Sequence, residues 1–199
     1  MPKIFLDIET TGLSPLVHRV VCIGMADEEK EPGTIIGENE RDLLLKFWEA
    51  LPDGAELVGF NLSFDIGFLT LRCLRHGISP VKLLAAGKTD LSKLVRDIVP
   101  GERYMSLARL AKFFGIEKRT DGAAIPDAWE RRDLNAIQEH CEEDVAIVKT
   151  LWQILRPLAE EPASQAQKNY LKDLGVPFAP GVTKQQASQL IDRALRGVP

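Results

Sequence analysis

Residues 4–12 read IFLDIETTG, and this stretch constrains the chain more than any other. Its apolar residues predict a central β-strand. Asp7 and Glu9 are two residues apart on that strand, so their side chains point to the same face. Two neighbouring carboxylates repel each other, and burial would favour a proton on each. A divalent cation between them would remove the conflict, whereas a pair of surface carboxylates on an edge strand fits the apolar surroundings poorly. The stretch therefore predicts a metal site.

Apolar runs elsewhere predict an α/β layered domain. KIFLDI, RVVCIGMA and TIIG predict three strands joined by short turns, which is typical of an antiparallel meander. Helices are predicted over 39–51, 90–98, 106–115 and 133–155, with a strand at ELVGFN and a loop over 119–129. A further helix is expected to begin after Ser63 as its N-cap and to end at Gly77.

The C-terminal part predicts a small appendage. We expect one domain over 1–158, a linker over 159–164 and a pair of short helices over 165–199. Thr183 followed by Gln186 is a capping-box pattern at the start of the second helix. About 35 residues are too few to be very stable alone.

Composition excludes several classes of protein. No apolar run approaches the ~20 residues of a membrane span, and the acidic pair near the N-terminus does not fit a secretory signal. The three cysteines, Cys22, Cys73 and Cys141, have no CxxC spacing, which argues against a disulfide framework or a zinc site. A sparse, odd set of cysteines suits a reducing compartment, so we predict a cytoplasmic protein that does not enter a membrane.

The charge is unevenly distributed, although the net charge is only -4. Residues 66–119 contain eleven lysines and arginines against four acidic residues, and 163–199 are also basic. An acidic portion beside a basic one fits a metal-holding cleft next to a phosphate-binding surface. Ordinary solvated helix faces would give the same pattern, so charge alone leaves both interpretations open.

Two later acidic residues are candidate partners for the strand pair. GFNLSFDIGFL places Asp65 in the first turn of a helix that follows a strand. EHCEEDV places Asp144 in the middle of a long helix, where aspartate is a poor helix former but a reasonable metal ligand. His140 lies four residues before Asp144, on the same helix face. Taken alone, Asp65 could simply be a charge favoured at a helix start, and His140 a solvent-facing residue.

Together these segments resemble the motifs of the DEDD superfamily of 3′–5′ exonucleases, the DnaQ-like branch of the RNase H-like fold. FLDIETTGL resembles the first motif, GFNLSFDIGFL the second and HCEEDV the third. SLARLAKFFGI and WERRDLNAIQEHCEEDV are similar to patterns in predicted bacterial exonucleases related to the proofreading domain of family-B DNA polymerases. The resemblance covers about residues 2–156. It implies a mixed central sheet with flanking helices, followed here by the small helical appendage.

The resemblance also implies a reaction and a set of site residues. The function would be two-metal-ion hydrolysis of phosphodiester bonds at the 3′ end of single-stranded DNA or RNA, with DNA favoured. Asp7 would bridge two Mg²⁺ or Mn²⁺ ions, Glu9 and Asp144 would complete the ion that activates water, and Asp65 would hold the second ion. The expected catalytic residues are these four and His140. The expected substrate contacts are Thr10, Leu13, Asn61 and Phe64, although Phe64 could equally belong to the core.

His140 departs from the family pattern. One branch has tyrosine four residues before the last aspartate, and the other has histidine five residues before it. Here a histidine occupies the tyrosine spacing, and position 139 is glutamate. With an ordinary pKa near ~6.5, His140 could be the general base for the attacking water, or it could only orient that water.

Two other functions compete with the exonuclease. The same fold could serve as a non-catalytic nucleic-acid-binding or scaffolding module, although four intact carboxylates argue against it. A glycosidase with two catalytic carboxylates would need no cation, but three tryptophans and two tyrosines offer little for a sugar platform. If the protein works in proofreading or repair, we expect a polymerase or repair partner in trans. Candidate phosphate contacts are Arg72, Arg75, Lys93, Arg96, Arg109 and Lys112.

Overall fold

The chain forms two compact units, Met1–Trp152 and Gln153–Pro199. A computed structural model describes residues 2–99, 101 and 105–197. Among these residues, every helix is too short or too polar to cross a lipid bilayer.

The first unit is built on a five-stranded mixed sheet with the order β3-β2-β1-β4-β5. Its strands are β1 (Lys3–Thr10), β2 (Val20–Ala26), β3 (Gly33–Ile36), β4 (Glu56–Gly59) and β5 (Gly87–Asp90). The first three form an antiparallel meander, as predicted, while β4 pairs parallel to β1 and β5 pairs parallel to β4. Strand β5 has the sequence GKTD, which carries no apolar pattern, and this is why the sequence did not predict it.

Nine α-helices surround the sheet or follow it in the described part of the chain. They are α1 (Glu40–Ala50), α2 (Leu62–Arg75), α3 (Val81–Ala85), α4 (Leu91–Ile98), α5 (Leu107–Phe113), α6 (Ile125–Glu130), α7 (Leu134–Ala159), α8 (Gln165–Asp173) and α9 (Lys184–Leu195).

Two predictions about these helices are wrong. Helix α2 begins at Leu62 after Asn61, which adopts a left-handed conformation (φ 57°), so Ser63 lies inside the helix rather than at its cap. Asparagine tolerates this conformation better than most residues. Helix α6 lies where a loop was predicted. Its proline is in the first turn, where proline favours a helix, and its buried Ile125 and Ala128 pack beside Cys22.

The two faces of β1 have opposite characters. Ile4, Leu6 and Ile8 belong to a core cluster that includes residues of α1 and α2. On the other face, Asp7 pairs in register with Gly24 of β2, and Glu9 pairs with Cys22. Because side chains alternate along a strand, this second face presents the two carboxylates toward α7.

Gly24 allows α7 to approach the sheet closely. A Cβ atom at this position would lie 2.6 Å from Val145 Cγ2 and 3.1 Å from the carbonyl oxygen of Cys141. Helix α7 carries both of those residues and also His140 and Asp144. The missing side chain therefore sets how near the helical site residues come to the strand carboxylates.

The second unit is a small helix pair with its own apolar cluster of Ala163, Leu171, Val182 and Ala187. Both helices begin with a complete capping box, at Ser164 for α8 and at Thr183 for α9. The capping box at Thr183 and Gln186 confirms the pattern read from the sequence. The domain limits given above remain a prediction.

Replacing Gly24 with alanine should destabilise the protein by about 1–3 kcal/mol, because the added methyl group overpacks the contact with α7. Urea denaturation measures this change. Gly33→Ala is a matched control on the same sheet, since a Cβ there meets no atom within 4 Å. Its effect should stay within about 0.5 kcal/mol. Equal stabilities of the two variants would contradict this account of the β2–α7 contact.

Candidate active site

The two carboxylates on β1 are held in a high-energy arrangement. Burial, followed by the charge of Asp144, raises the pKa of Asp7 to about 8. Burial, followed by the charge of Asp7, raises the pKa of Glu9 to about 10. Both pKa values lie far above the ordinary values of 3.8 for aspartate and 4.5 for glutamate. A bound cation would favour their charged forms and reverse these shifts.

Asp65 joins this pair from the first turn of α2. Its Oδ1 accepts a hydrogen bond of 3.2 Å from the backbone N–H of Ile8, so the carboxylate is fixed against β1. Burial, followed by the charge of Asp7, raises the pKa of Asp65 well above its ordinary value. Asp65, predicted from the second motif, is therefore close enough to Asp7 of the first motif for their charges to interact.

Helix α7 places His140 and Asp144 over the same strand. His140 Nε2 lies 3.4 Å from Glu9 Oε1 and 3.5 Å from Asp144 Oδ2. The imidazole is only 4% exposed, so the solvent-facing interpretation is wrong. Burial lowers the pKa of His140 below its ordinary value, although Asp144 opposes this shift. All five predicted catalytic side chains thus come together on β1, α2 and α7.

Thr120 and Glu143 determine which ring nitrogen of His140 carries the proton. The sequence analysis did not predict either as a site residue. Thr120 Oγ1 lies 2.5 Å from His140 Nδ1 and donates a hydrogen bond of 2.5 Å to Glu143 Oε2. Although burial opposes the shift, hydrogen bonds from Thr120 and Arg119 lower the pKa of Glu143 to about 2, so its carboxylate can only accept. The threonine hydroxyl must then accept from His140, which places the ring proton on Nδ1. Nε2 is left with a free lone pair toward Glu9 and Asp144.

Lys118 is a third residue that the sequence analysis missed. Its ammonium group makes a close ion pair with Asp144 and lies 3.9 Å from Glu143 Oε2. A cation therefore already stands beside the acidic cluster. Lys118 and Thr120 lie in a segment predicted only as the end of a basic region and the start of a loop. Such a segment carries no pattern that marks a site residue, whereas Glu143 directly precedes the third-motif aspartate.

The donor set fits a hard divalent metal ion. One oxygen each of Glu9 and Asp144 and one nitrogen of His140 lie within 4.8 Å of one another. Asp7 adds a carboxylate oxygen that lies within 4.8 Å of an oxygen of Glu9. Carboxylate oxygens are the ligands that Mg²⁺ and Mn²⁺ prefer.

The predicted substrate contacts have different surroundings. Leu13 is 84% exposed, and Thr10 donates its hydroxyl to the carbonyl of Gly12 at 2.8 Å. Asn61 is exposed, and its backbone N–H donates to Asp90 Oδ1 at 3.0 Å. Phe64 is half-buried and packs against Phe68 at the edge of the core. This position agrees with the alternative that Phe64 belongs to the core.

The loop after the first motif is held by Arg72, which forms a buried ion pair with Glu40. Arg72, a predicted phosphate contact, is instead 94% buried and pairs with Glu40 through two nitrogens, while its third nitrogen donates to the carbonyl of Pro15 at 3.1 Å. Glu40 Oε1 also accepts the N–H of Val20 at 2.8 Å. The sequence could not distinguish this buried pair from a surface cation, because both give arginine on an amphipathic helix.

A family model of the RNase H superfamily matches residues 4–156 of this chain. An uncharacterised protein of Methanocaldococcus jannaschii is 32% identical over 174 residues, which cover 80% of this chain and 97% of that protein. A PolC-type DNA polymerase III of Pediococcus pentosaceus is 29% identical over 63% of this chain, but the match spans only 10% of the polymerase.

Solved structures share the fold at lower identity. The family B DNA polymerase of Pyrobaculum calidifontis has a TM-score of 0.68 and 20% identity, covering 79% of this chain and 25% of the polymerase. E. coli exonuclease I in complex with a 5cy-dT13 oligonucleotide has a TM-score of 0.56 and 17% identity, covering 78% of this chain and 41% of the enzyme. The mixed sheet with flanking helices is thus the RNase H-like fold that the motifs predicted. The similarity to a PolC-type polymerase agrees with the resemblance to DnaQ-like exonucleases predicted from the motifs. The chain belongs to the RNase H superfamily.

Proposed function

We propose that this protein is a metal-dependent 3′–5′ exonuclease that hydrolyses single-stranded nucleic acid, with DNA favoured. One observation carries the proposal. Three separate elements bring four acidic side chains and one histidine together, and the pKa values of Asp7 and Glu9 are raised to about 8 and about 10. Structural ion pairs normally relieve such repulsion, whereas sites built for cations retain it. The likeness to polymerase-associated and free exonucleases supports the same reaction.

We assign the metal ligands to Asp7, Glu9, Asp65 and Asp144. Divalent ions bound there would make water nucleophilic and would stabilise charge on the leaving 3′ oxygen. The protein itself would provide a fixed set of oxygen donors on rigid elements. Lys118 would have to release Asp144 when an ion binds, and its ammonium group would then be free to contact a substrate phosphate.

His140 is the proposed general base. Its Nε2 lone pair faces the carboxylate cluster, and the lowered pKa keeps the ring neutral near pH 7. When Nε2 takes a proton from the attacking water, the Nδ1–H bond to Thr120 and the ionised Glu143 would stabilise the resulting imidazolium. This role is preferred over simple orientation of water because the tautomer is set for proton uptake.

The apolar loop beside the first motif is the proposed contact for terminal bases. Leu13, Leu16 and Val17 are 84%, 77% and 79% exposed on a loop held by Arg72. Unpaired bases present apolar faces that such side chains can cover. The oligonucleotide bound to exonuclease I supports a single-stranded substrate. Thr10, Asn61 and Phe64 remain proposed contacts.

The setting of the activity is also a proposal. The chain matches about a tenth of the PolC-type polymerase and a quarter of the family B polymerase, so those proteins' polymerase activities are not carried over. We propose that a polymerase or repair protein acts with it in trans. Three free cysteines suit the cytoplasm as the proposed location.

The proposal predicts that Asp7→Asn abolishes digestion of a 5′-labelled single-stranded oligonucleotide. The loss should be at least about a thousandfold, because the metals provide several kcal/mol of stabilisation to the transition state. DNA and RNA are tested in parallel with Mg²⁺, Mn²⁺ or EDTA, and Asp97→Asn, an exposed change on α4, is the control. A ladder shortening from the 3′ end in the control alone supports the exonuclease. If the wild type binds the oligonucleotide but does not cleave it with any of the metal ions, the exonuclease is rejected and the non-catalytic nucleic-acid-binding module remains.

The hydrogen bonds that link His140 to Thr120 and Thr120 to Glu143, called the relay below, predict graded losses of activity. His140→Ala should lower kcat by about 10²–10⁴-fold, as for other general bases. Thr120→Val keeps the imidazole but removes its acceptor, so we expect a smaller fall in kcat, with KM little changed. Thr150→Val is a matched control on α7, because the exposed Thr150 hydroxyl donates to the carbonyl of Ala146 in the same helix. Wild-type kcat in Thr120→Val would contradict the relay.

The raised pKa values of Asp7 and Glu9 predict an unusual pH dependence of stability. Without metal, the folded protein binds more protons than the unfolded chain between about pH 4 and pH 10, so the free energy of unfolding should fall as the pH rises through this window. The slope is at most about 1.4 kcal/mol per pH unit for each carboxyl. Saturating Mg²⁺ should remove it.

Thermal unfolding at pH 6 and pH 9, with EDTA or with Mg²⁺, measures this effect. The Asp7→Asn, Glu9→Gln double variant should show a flatter profile in EDTA than the wild type. An equal change in Tm with pH in EDTA and in Mg²⁺ would show that these carboxyls do not bind the ion.

A further inference from the structure

Two thiols lie beside the acidic cluster, although no sequence pattern pairs them. Cys22 is on β2 and Cys141 is on α7, and both are fully buried. They are 119 residues apart in the chain and lack any metal-binding spacing. The close approach of α7 at Gly24 brings Cys141 against β2, the strand that carries Cys22, and Cys141 Sγ donates a hydrogen bond of 3.8 Å to the carbonyl oxygen of Asp7.

These thiols share their surroundings with the strand carboxylates. Cys141 Sγ lies within 4.8 Å of one oxygen of Asp7 and one oxygen of Glu9, and those two oxygens are equally close to each other. Cys22 is the register partner of Glu9 on the neighbouring strand, so both side chains point to the same face. Cys141 therefore adds a sulfur donor to the two carboxylate oxygens, and Cys22 lies beside it in the apolar cluster under α7.

We propose that Cys22 and Cys141, with Asp7 and Glu9, form a binding site for a thiophilic divalent ion such as Zn²⁺ or Cd²⁺, and that an ion bound there inhibits the protein. The inhibitory part rests on the proposed function, because the ion would remove Asp7 and Glu9 from catalytic use. Binding of the ion requires only ligand exchange: each thiol loses its proton to solvent as its sulfur–metal bond forms, and nothing is oxidised.

Ligand chemistry separates this site from the catalytic one. Thiolates select Zn²⁺ and similar ions, while Mg²⁺ strongly prefers oxygen donors. Tetrahedral Zn²⁺, with Zn–S bonds of about 2.3 Å, needs donors ~3.6 Å apart, so the four side chains must move closer together when the ion binds. Rotation of short side chains could supply that movement. The prediction that the cysteines argue against zinc was based on spacing alone, and the fold brings together the donors that spacing could not pair.

Cadmium binding tests the site without reference to nuclease activity. The full chain, freed of metals by a chelator that is then removed, is titrated with Cd²⁺, and the ultraviolet charge-transfer absorption of thiolate–Cd²⁺ bonds is recorded. The wild type should show this band, saturating at one ion per chain. Cys22→Ala and Cys141→Ala should each reduce it, and the double variant should lose it. Cys73→Ala is the matched control, because Cys73 is equally buried but belongs to the core on the opposite face of the sheet.

The chemical shift of bound ¹¹³Cd in the wild type provides a measurement that needs no variant. A shift typical of two sulfur ligands supports the site even if a cysteine variant fails to fold. A shift typical of oxygen and nitrogen ligands alone would overturn the proposal, and so would a charge-transfer band that persists in the folded double variant.

Inhibition is then measured as the Zn²⁺ concentration that halves Mg²⁺-supported digestion. It should be similar in the wild type and in Cys73→Ala, and at least tenfold higher in the cysteine variants of the site. A ¹¹³Cd shift typical of sulfur ligands, in a protein that digests no nucleic acid with any metal ion tested, would support the thiol site and reject the proposed function. Equal inhibition of active wild type and double variant would overturn the inhibitory role of the thiols.

Discussion

Repulsion between carboxylates confined to one buried strand face is the interaction on which the rest of the site depends. Asp7 and Glu9 are held side by side by β1, and α7 and α2 add Asp144 and Asp65 to the same space. The fold opposes this repulsion with local devices. The N–H of Ile8 bonds Asp65, and the ammonium group of Lys118 pairs with Asp144. Neither neutralises the strand pair, so the pKa values of Asp7 and Glu9 stay high until a cation binds.

Close packing of small side chains makes this concentration of charge possible. Gly24 and Cys22 are the register partners of Asp7 and Glu9, and α7 rests on them through Cys141. A larger residue at Gly24 would move the helix outward and carry His140 and Asp144 away from β1. The same contact that assembles the acidic site also buries the two thiols, so the hard-metal and soft-metal donor sets share one structural cause.

The sequence predicted the parts of the molecule whose patterns are local. The meander, the long helix α7, the capping boxes and the four carboxylates each have a signature within a few residues. Residues that act through contacts across the sheet could not be found in this way. Thr120 matters because it lies between His140 and Glu143, and Lys118 because a segment between helices brings it to Asp144. Arg72 and Ser63 were misread for the same reason, since a cation on a helix and a serine near its start look alike whether or not tertiary contacts use them.

A second cluster of buried charge, around Glu40, contrasts with the acidic site on β1. Glu40 is as buried as Glu9, yet hydrogen bonds from Arg72 and His76 outweigh its burial and lower its pKa. That network satisfies a loop carbonyl and a strand N–H at the same time, as expected of a structural brace. The same fold therefore neutralises one buried glutamate with matched partners and leaves the other beside like charges. Two environments of similar burial and opposite pKa shift, in one small unit, support the proposal that the carboxylates on β1 bind a cation.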